Sequence, residues 1–352
     1  MYIEIDGSAG EGGGQILRTS LAMSALLKKP IHIKNIRAGR REPGLQAQHL
    51  TCVNALAKIT NAEVKGDFLG SQELLFNPRS IQSGNYKFDV SDVKASAGSV
   101  SLVLQAIFLP LALSGGKSKI TLLGGTHVPW SPPIHYLQLV YLPMLAKMGI
   151  NADIKLITWG WYPKGGGNVE IEINSAKLSN IDLTKRGLLK NVKCICAVSN
   201  LPISIAQRQK GRVQEILESK NLKADFEIIN APSRGQGTGT FIFAEFDNSI
   251  AGFSSLGAKG KRAEQIADEV CEDCFRFLDS QMAIDEHLAD QLVPIMALSK
   301  GISRFTTSKI SLHLLTNIHI AECFLPVKFY VSAEKDQPGE ISVEGIGYEF
   351  IT

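Results

Sequence analysis

The chain opens on YIEID, where apolar residues fall at every second position, the period of a strand with one buried face. A glycine-rich break at 7–14 follows, and then QILRTSLAMSALL carries apolar residues at the three-and-four spacing of a helix. A Lys-containing turn and a second alternating stretch, IHIKNI, complete the first unit. The same order of patterns recurs. LAKITNAEVK (56–65) resembles LAKMGINADIK (145–155), and Gln15 in the first helix matches Gln105 in LVLQAIFLPLALSGGKSKITLLGG. Both comparisons give a unit of about 90 residues. A third occurrence, DQLVPIMALSKGISRFTTSKISLHLL (290–315), sets Gln291 186 residues beyond Gln105 (291 − 105), which exceeds one period by about 96. A segment inserted at 183–280 accounts for the surplus. It opens at LTKRGLLK, closes after AEQIADEVCEDCFRFLDS, and holds strand patterns VKCICAV, ADFEII and GTFIFAEF with two helical ones. The expected fold is α/β: three repeated units of two helices packed on a β-sheet, spanning 1–182 and 281–352, with a smaller inserted α/β domain at 183–280. Loops between such units are expected to line shared clefts.

Composition narrows the class. With 44% apolar and 20% charged residues the chain reads as a soluble globular protein. Lys and Arg number 37 against 34 Asp and Glu, a net charge of +3, so any polyanion must be held by a local cluster and not by a general positive field. No apolar run approaches the roughly 18 residues of a membrane span, and the N-terminus reads as a strand and not a leader. The expectation is a cytoplasmic protein without membrane contact, monomer or homodimer. Cys194 and Cys196 share one face of a strand pattern, and Cys271 and Cys274 sit at i, i+3 of a helical one. Buried thiols, a local disulfide and a zinc site all suit this spacing, with buried thiols favoured because both stretches are amphipathic.

The loop DGSAGEGGGQILR (6–18) poses a chemical question. Glycine-rich turns before helices cradle phosphates through bare N–H groups, yet Glu11 places a carboxylate in this one. It is not a Walker A loop, because no lysine follows, nor a dinucleotide fingerprint, because Gln15 stands where the last glycine should. It is either a structural turn or a phosphate site in which a metal lies between Glu11 and the ligand. Further glycine- or proline-rich loops occur at GGTHVPWSPP (124–133), YPKGGG (162–167) and RGQGTGT (234–240). Arginine concentrates in IRAGRREPGLQAQHL, which holds Arg37, Arg40, Arg41, Gln48 and His49, and Arg18 follows the glycine loop. Guanidinium forks match phosphate oxygens, although a solvated basic turn has the same composition. His313, flanked by leucines at a strand-to-helix junction, is either a satisfied core residue or a neutral imidazole able to attack phosphorus.

The combination GEGGGQILR, IRAGRREPGLQAQHL, SAGSVSLVLQA, GGT-x5-PP, YPKGGG, HLADQL and HLLTN resembles the RNA 3′-terminal phosphate cyclase family from end to end, inserted domain included. The resemblance implies ATP-dependent conversion of an RNA 3′-terminal phosphate to a 2′,3′-cyclic phosphodiester, through a histidine–AMP and an RNA-(3′)pp(5′)A intermediate. It places the nucleophile at His313. Glu11 corresponds to the residue holding Mg²⁺ or Mn²⁺ against the triphosphate, and Gln15 and Arg18 to nucleotide-phosphate contacts. Gln105, Asp290 and the neighbouring Gln291 fall around the nucleoside, with His287 where some members carry tyrosine. Pro132 and Phe253 match a pair that sandwiches adenine. Arg37, Arg40, Gln48 and His49 match a cluster handling ATP phosphates or the RNA end. The competing class is a non-catalytic cyclase-like RNA-binding protein of ribosome assembly, which lacks the catalytic histidine.

Overall fold

The computed structural model describes residues 1–93 and 97–349; Ser96, which opens the SAGSVSLVLQA motif, lies outside the described residues. The class is mixed α/β. In chain order, β1 (Ile3–Asp6), α1 (Gly14–Leu27), β2 (Ile31–Lys34), α2 (Ala47–Thr60), β3 (Glu63–Lys65) and β4 (Leu74–Asn77) come first. Their sheet is ordered β1-β2-β4-β3, with β1 parallel to β2 and the other pairings antiparallel. There follow β5 (Asn85–Asp89), α3 (Val100–Ala112), β6 (Ser118–Gly124), α4 (Ile134–Tyr136), α5 (Leu142–Lys147), β7 (Ala152–Thr158) and β8 (Gly167–Ile173). These strands are ordered β5-β6-β8-β7, again with the first pair parallel.

The chain then makes β9 (Asp182–Leu183) and departs into β10 (Leu189–Ser199), α6 (Ser204–Ser219), β11 (Asp225–Asn230), β12 (Gly237–Phe246), β13 (Ile250–Leu256) and α7 (Ala263–Ser280). Here the order is β11-β10-β12-β13. It returns through α8 (Glu286–Leu298), β14 (Lys300–Thr307), α9 (Leu312–Phe324), β15 (Tyr330–Val331) and β16 (Gly339–Ile346). β14 lies parallel to β9, pairing Phe305 with Leu183, and the sheet runs β15-β16-β14-β9. β13, which carries Phe253, is absent from the strand patterns read in the sequence: IAGFSSL alternates poorly, because Gly252 and Ser254 occupy its second face.

α1 positions the site. Twelve of its residues, from Gln15 to Leu26, are buried, and it packs on α2, α3 and α9. A helix apolar on nearly every side must sit centrally. Gln15 and Arg18 are therefore buried in the first turns of α1, next to the glycine loop. The segment 184–280 has a core of its own, where Val192, Cys194, Cys196 and Val198 of β10 meet Val213 and Leu217 of α6 and Val270, Cys271 and Cys274 of α7.

All four cysteines there are buried free thiols, with the Cys194 and Cys196 sulfurs 3.8 Å apart. Burial pushes Cys271 and Cys274 up to about 12, as it does Cys52 beneath α1. Among the described residues no His, Cys, Asp or Glu cluster has metal-binding geometry. Because the thiolate is the reacting species, a disulfide-exchange reagent at neutral pH should titrate only the exposed Cys323 in the native protein, and all six cysteines after denaturation. Rapid native titration of a second thiol would contradict this core.

Candidate active site

The glycine loop is held against the first turn of α9. Gly10 adopts φ +57°, and a Cβ there would lie 2.3 Å from Thr316 Oγ1. That hydroxyl accepts the Glu11 N–H at 3.1 Å and donates to the Leu312 carbonyl at 2.7 Å. Ser311 caps α9 by accepting the Leu314 N–H at 3.1 Å, which places His313 at the helix start, exposed to solvent, three residues from Thr316. The loop and the imidazole thus face each other because glycine alone permits that approach.

Gln15 joins three helices. Its Nε2 donates to Asp290 Oδ2 on α8 at 3.3 Å, and its Oε1 is hydrogen-bonded to His313 Nδ1. An amide oxygen only accepts, so the imidazole proton is on Nδ1 and the lone pair is on Nε2. Partial burial lowers the His313 pKa below its usual 6.5, with Arg18, His287 and Arg40 adding to the effect and Glu11 opposing it. The ring is neutral at pH 7. Asn317, one turn beyond His313, accepts from Thr19 Oγ1 at 2.7 Å and donates to the Asp290 carbonyl at 2.7 Å, which locks α1, α8 and α9 together.

Burial pushes the Asp290 carboxyl up to about 7, against the lowering effect of His287, Gln15 and Arg18. A carboxyl with a raised folded-state pKa favours folding while protonated. Its contribution is therefore complete below the ordinary 3.8 and lost as pH rises through about 7. Asp290→Asn mimics the protonated form. It should raise the thermal midpoint over wild type above about pH 7 and leave it unchanged toward pH 3.8, the difference reaching roughly 2–4 kcal/mol. Parallel pH curves for the two proteins would exclude a desolvated, titrating Asp290.

The cationic side of the loop divides into two roles. Arg18 is buried, its Nε has no hydrogen-bond partner among the described residues, and burial lowers its pKa, although a guanidinium remains charged at neutral pH. Arg40 pairs with the Glu11 carboxylate and donates to the Glu11 carbonyl at 2.7 Å. His49 is buried, and its Nδ1 accepts the Gln46 N–H at 3.1 Å, which leaves Nε2 to carry the proton. Burial, helped by Arg18 and Arg37, drives its pKa down to about 3. The Nε2–H points at the start of α1: a Cβ on Gly14 would sit 2.3 Å from that nitrogen and 2.9 Å from Arg18 Nη1. Arg37 and Gln48 do different work. Arg37 Nη1 donates to the carbonyls of Glu42 and Gly44 at 2.7 and 2.8 Å, holding its own loop, and Gln48 Oε1 accepts the N–H of Ser99, the cap of α3, at 3.1 Å.

Below this ring lies a cavity of about 50 Å³ lined by Gln15, Arg18, Thr19, Gln105, Tyr141, Gln291, Pro294 and Asn317. Gln291 donates to the His287 carbonyl at 2.6 Å, and its buried Oε1 has no partner among the described residues. Such a volume admits a few waters, and Gln105 and Gln291 are among its lining residues. To one side, Tyr136 donates to Asp285 at 2.8 Å, and the same carboxylate caps α8 through His287 and Leu288 N–H and accepts from Gly252 N–H at 3.3 Å. Exposed His287 lies edge-on to Tyr136 at 6.5 Å. Pro132 lies two residues before the start of α4. Phe253 follows Gly252, its ring against Phe277 at 5.6 Å. Asp285 went unnoticed in the sequence, although an aspartate directly before a helical stretch is a capping signal. Asn317 closes the HLLTN motif, whereas Tyr136 and Tyr141 carry no comparable sign and only packing brings them in.

A neutral imidazole, a buried guanidinium and a glycine loop meet at the starts of α1, α2 and α9 of this α/β protein, and helix N-termini of this kind favour anions. Comparison with known proteins is specific: residues 9–331 match the family described as RTC, RNA 3′-terminal phosphate cyclase. An RNA 3′-terminal phosphate cyclase of Nostoc punctiforme is 46% identical over 92% of this chain and 94% of its own. Those of Desulfurococcus amylolyticus and Pyrobaculum aerophilum are each 42% identical over 99% of both chains. The chain belongs to the RNA 3′-terminal phosphate cyclase family, and it is an enzyme of that family. Among the described residues no helix is long and apolar enough to cross a membrane.

Proposed function

We propose that this protein uses ATP to close an RNA 3′-terminal phosphate into a 2′,3′-cyclic phosphodiester, with His313 as the nucleophile. The observation that carries this reading is the Asp290–Gln15–His313 chain, which fixes the tautomer with its lone pair on Nε2. Nε2 attacks the α-phosphorus of ATP, a P–N bond forms, the bond to the β-phosphate oxygen breaks, and pyrophosphate leaves. A 3′-phosphate oxygen of RNA then attacks the same phosphorus and breaks the P–N bond, returning neutral His313. Last, the adjacent 2′-OH attacks the activated 3′-phosphorus, loses its proton, and expels AMP. Arg18, the His49 Nε2–H and Arg40 stand where negative charge gathers on the phosphates. Pro132 and Phe253 are the proposed adenine contacts, and Gln105, His287, Asp290 and Gln291 border the nucleoside.

Glu11 fits a divalent cation of the kind shared with phosphates, because Mg²⁺ commonly takes one or two protein carboxylates and completes its shell from substrate and water. Such an ion supplies charge neutralisation at the triphosphate. Holding it requires Arg40 to release the Glu11 carboxylate, and an arriving triphosphate offers Arg40 the replacement anion. We further read the three sheets that share the order first-second-fourth-third as copies of one unit. The segment of reordered topology between β9 and α8 is then the insertion.

The test is an RNA ending in a 3′-phosphate. With ATP and Mg²⁺ its end should become phosphatase-resistant as AMP is released. A 2′-deoxy terminal nucleotide lacks only the last nucleophile, so the adenylated 3′-end should accumulate instead. Persistent phosphatase sensitivity in both substrates, with the RNA bound, would support the non-catalytic reading.

A further inference from the structure

Three loops meet in one seam at the edge of the site, the first of them the loop that carries Pro132. His127 bridges to Trp161 and Trp159 bridges to Ser233, which aligns loops 125–133, 159–166 and 231–236 side by side. The seam is rigid underneath: Trp159, Trp161, Phe241, His127 and His135 pack as buried rings, and the Trp161 indole donates to Ser199 at 2.8 Å. Its outer side is built differently. Trp130, at the tip of the first loop, is 96% exposed and held at φ +60°, and Tyr162 on the second is 64% exposed. An exposed indole on a left-handed backbone is unfavourable on both counts unless something covers it.

Cations and a cleft accompany these rings. Lys164 and Arg234 are exposed, and among the described residues neither forms an ion pair or a side-chain hydrogen bond. They stand together, since a Cβ on Gly166 would meet Arg234 Cδ at 2.9 Å and one on Gly235 would meet Lys164 Cβ at 3.3 Å. Beside them a cleft of about 420 Å³ is lined by Leu123, Thr158, Gly166, Asn168, Ser233 and Arg234. The Asn168 side-chain oxygen is buried there without a partner among the described residues. The nearest acid along that strand, Glu170, faces Lys155 across the sheet. The cleft also connects to the phosphate site through backbone: Gln48 holds Ser99, Ser99 bridges to Gly125, and Gly124 pairs with Gly167.

We propose that this seam is the track for the single-stranded RNA preceding the 3′-terminal nucleotide. Trp130 and Tyr162 stack bases, Lys164 and Arg234 meet backbone phosphates, and the cleft takes one base edge at Asn168. Paired aromatic platforms and unpaired cations are the recurring means of holding single strands without regard to sequence. This rests on the reading of RNA ends as substrate, and adds where the rest of the strand lies.

Two 3′-phosphorylated fluorescent RNAs separate the ideas by anisotropy: an oligomer of roughly ten nucleotides, long enough to span such a track, and a dinucleotide, too short to reach it. Wild-type protein should prefer the oligomer. Trp130→Gly, which suits the backbone, and Tyr162→Ala should each reduce that preference by roughly tenfold, the scale of one lost base stack. Lys164→Ala with Arg234→Ala should flatten the salt dependence of oligomer binding by about 1.4 in logarithmic slope, for two phosphate contacts on a single strand. Oligomer should also quench tryptophan emission in the wild type and less in Trp130→Gly, because Trp159 and Trp161 are buried. Equal wild-type affinity for both RNAs, or variants that stay folded and bind the oligomer as wild type does, would overturn the proposal and leave the surface to a protein partner. Anisotropy needs no turnover, so intact oligomer preference without cyclisation would count against the catalytic reading alone.

Discussion

His313→Ala is expected to reduce covalent labelling by α-labelled ATP to background and to slow cyclisation by roughly a millionfold, the scale on which covalent catalysts lose a nucleophile. Folding should survive, because His313 sits at the solvent-facing start of α9 with its ring only partly buried, and among the described residues its side-chain hydrogen-bond partner is Gln15 alone. The wild-type adduct should be labile to acid and stable to alkali, as a P–N bond is. Its formation should persist as pH falls to the ordinary histidine value of 6.5, since partial burial keeps the ring neutral below that point. Retained label in the alanine variant would move the nucleophile elsewhere. His49 is a poor substitute, being buried with Nδ1 already engaged by the Gln46 N–H.

Glu11→Gln should raise the divalent-ion concentration needed for adenylylation by roughly a hundredfold, as expected when the one protein carboxylate of a phosphate-shared ion is lost. The variant also frees Arg40, so Arg40→Met is the necessary comparison. Removing a charge-assisted contact worth roughly 1.5–3 kcal/mol, that substitution should slow phosphate transfer by one to two orders of magnitude with the metal titration unchanged. If Glu11 only holds Arg40, the two variants and their combination will behave alike. A shared phenotype would make the loop a turn with an ion pair and remove Glu11 from metal chemistry.

The structure also redistributes roles within the arginine-rich stretch. As a string, IRAGRREPGLQAQHL presents Arg37, Arg40, Gln48 and His49 as equivalent phosphate ligands. In the fold, Arg37 is bonded to carbonyls of its own loop and Gln48 to the cap of α3. Arg37→Ala is therefore a loop variant before it is a phosphate variant.

Read alone, the sequence determined the α/β class, the helices carrying Gln15, Gln105 and Asp290, and His313 at the start of a helix. Those features are written in local periodicity and capping residues, which one stretch of chain settles by itself. It also supplied the chemistry of the glycine loop, because glycine spacing and a lone carboxylate are legible without a fold. The strand β13 was lost because two small residues on its second face erase the alternation. Only the tertiary structure decided which nitrogen of His313 is free, since that depends on an amide from α1 held by a carboxyl from α8. It alone decided that burial pushes Asp290 up to about 7 and His49 down to about 3, because desolvation is set by what packs around a group and not by its sequence neighbours. And it alone brought Trp130, Tyr162, Lys164 and Arg234 to one seam, through strand pairings between segments distant in the chain, which no local pattern encodes.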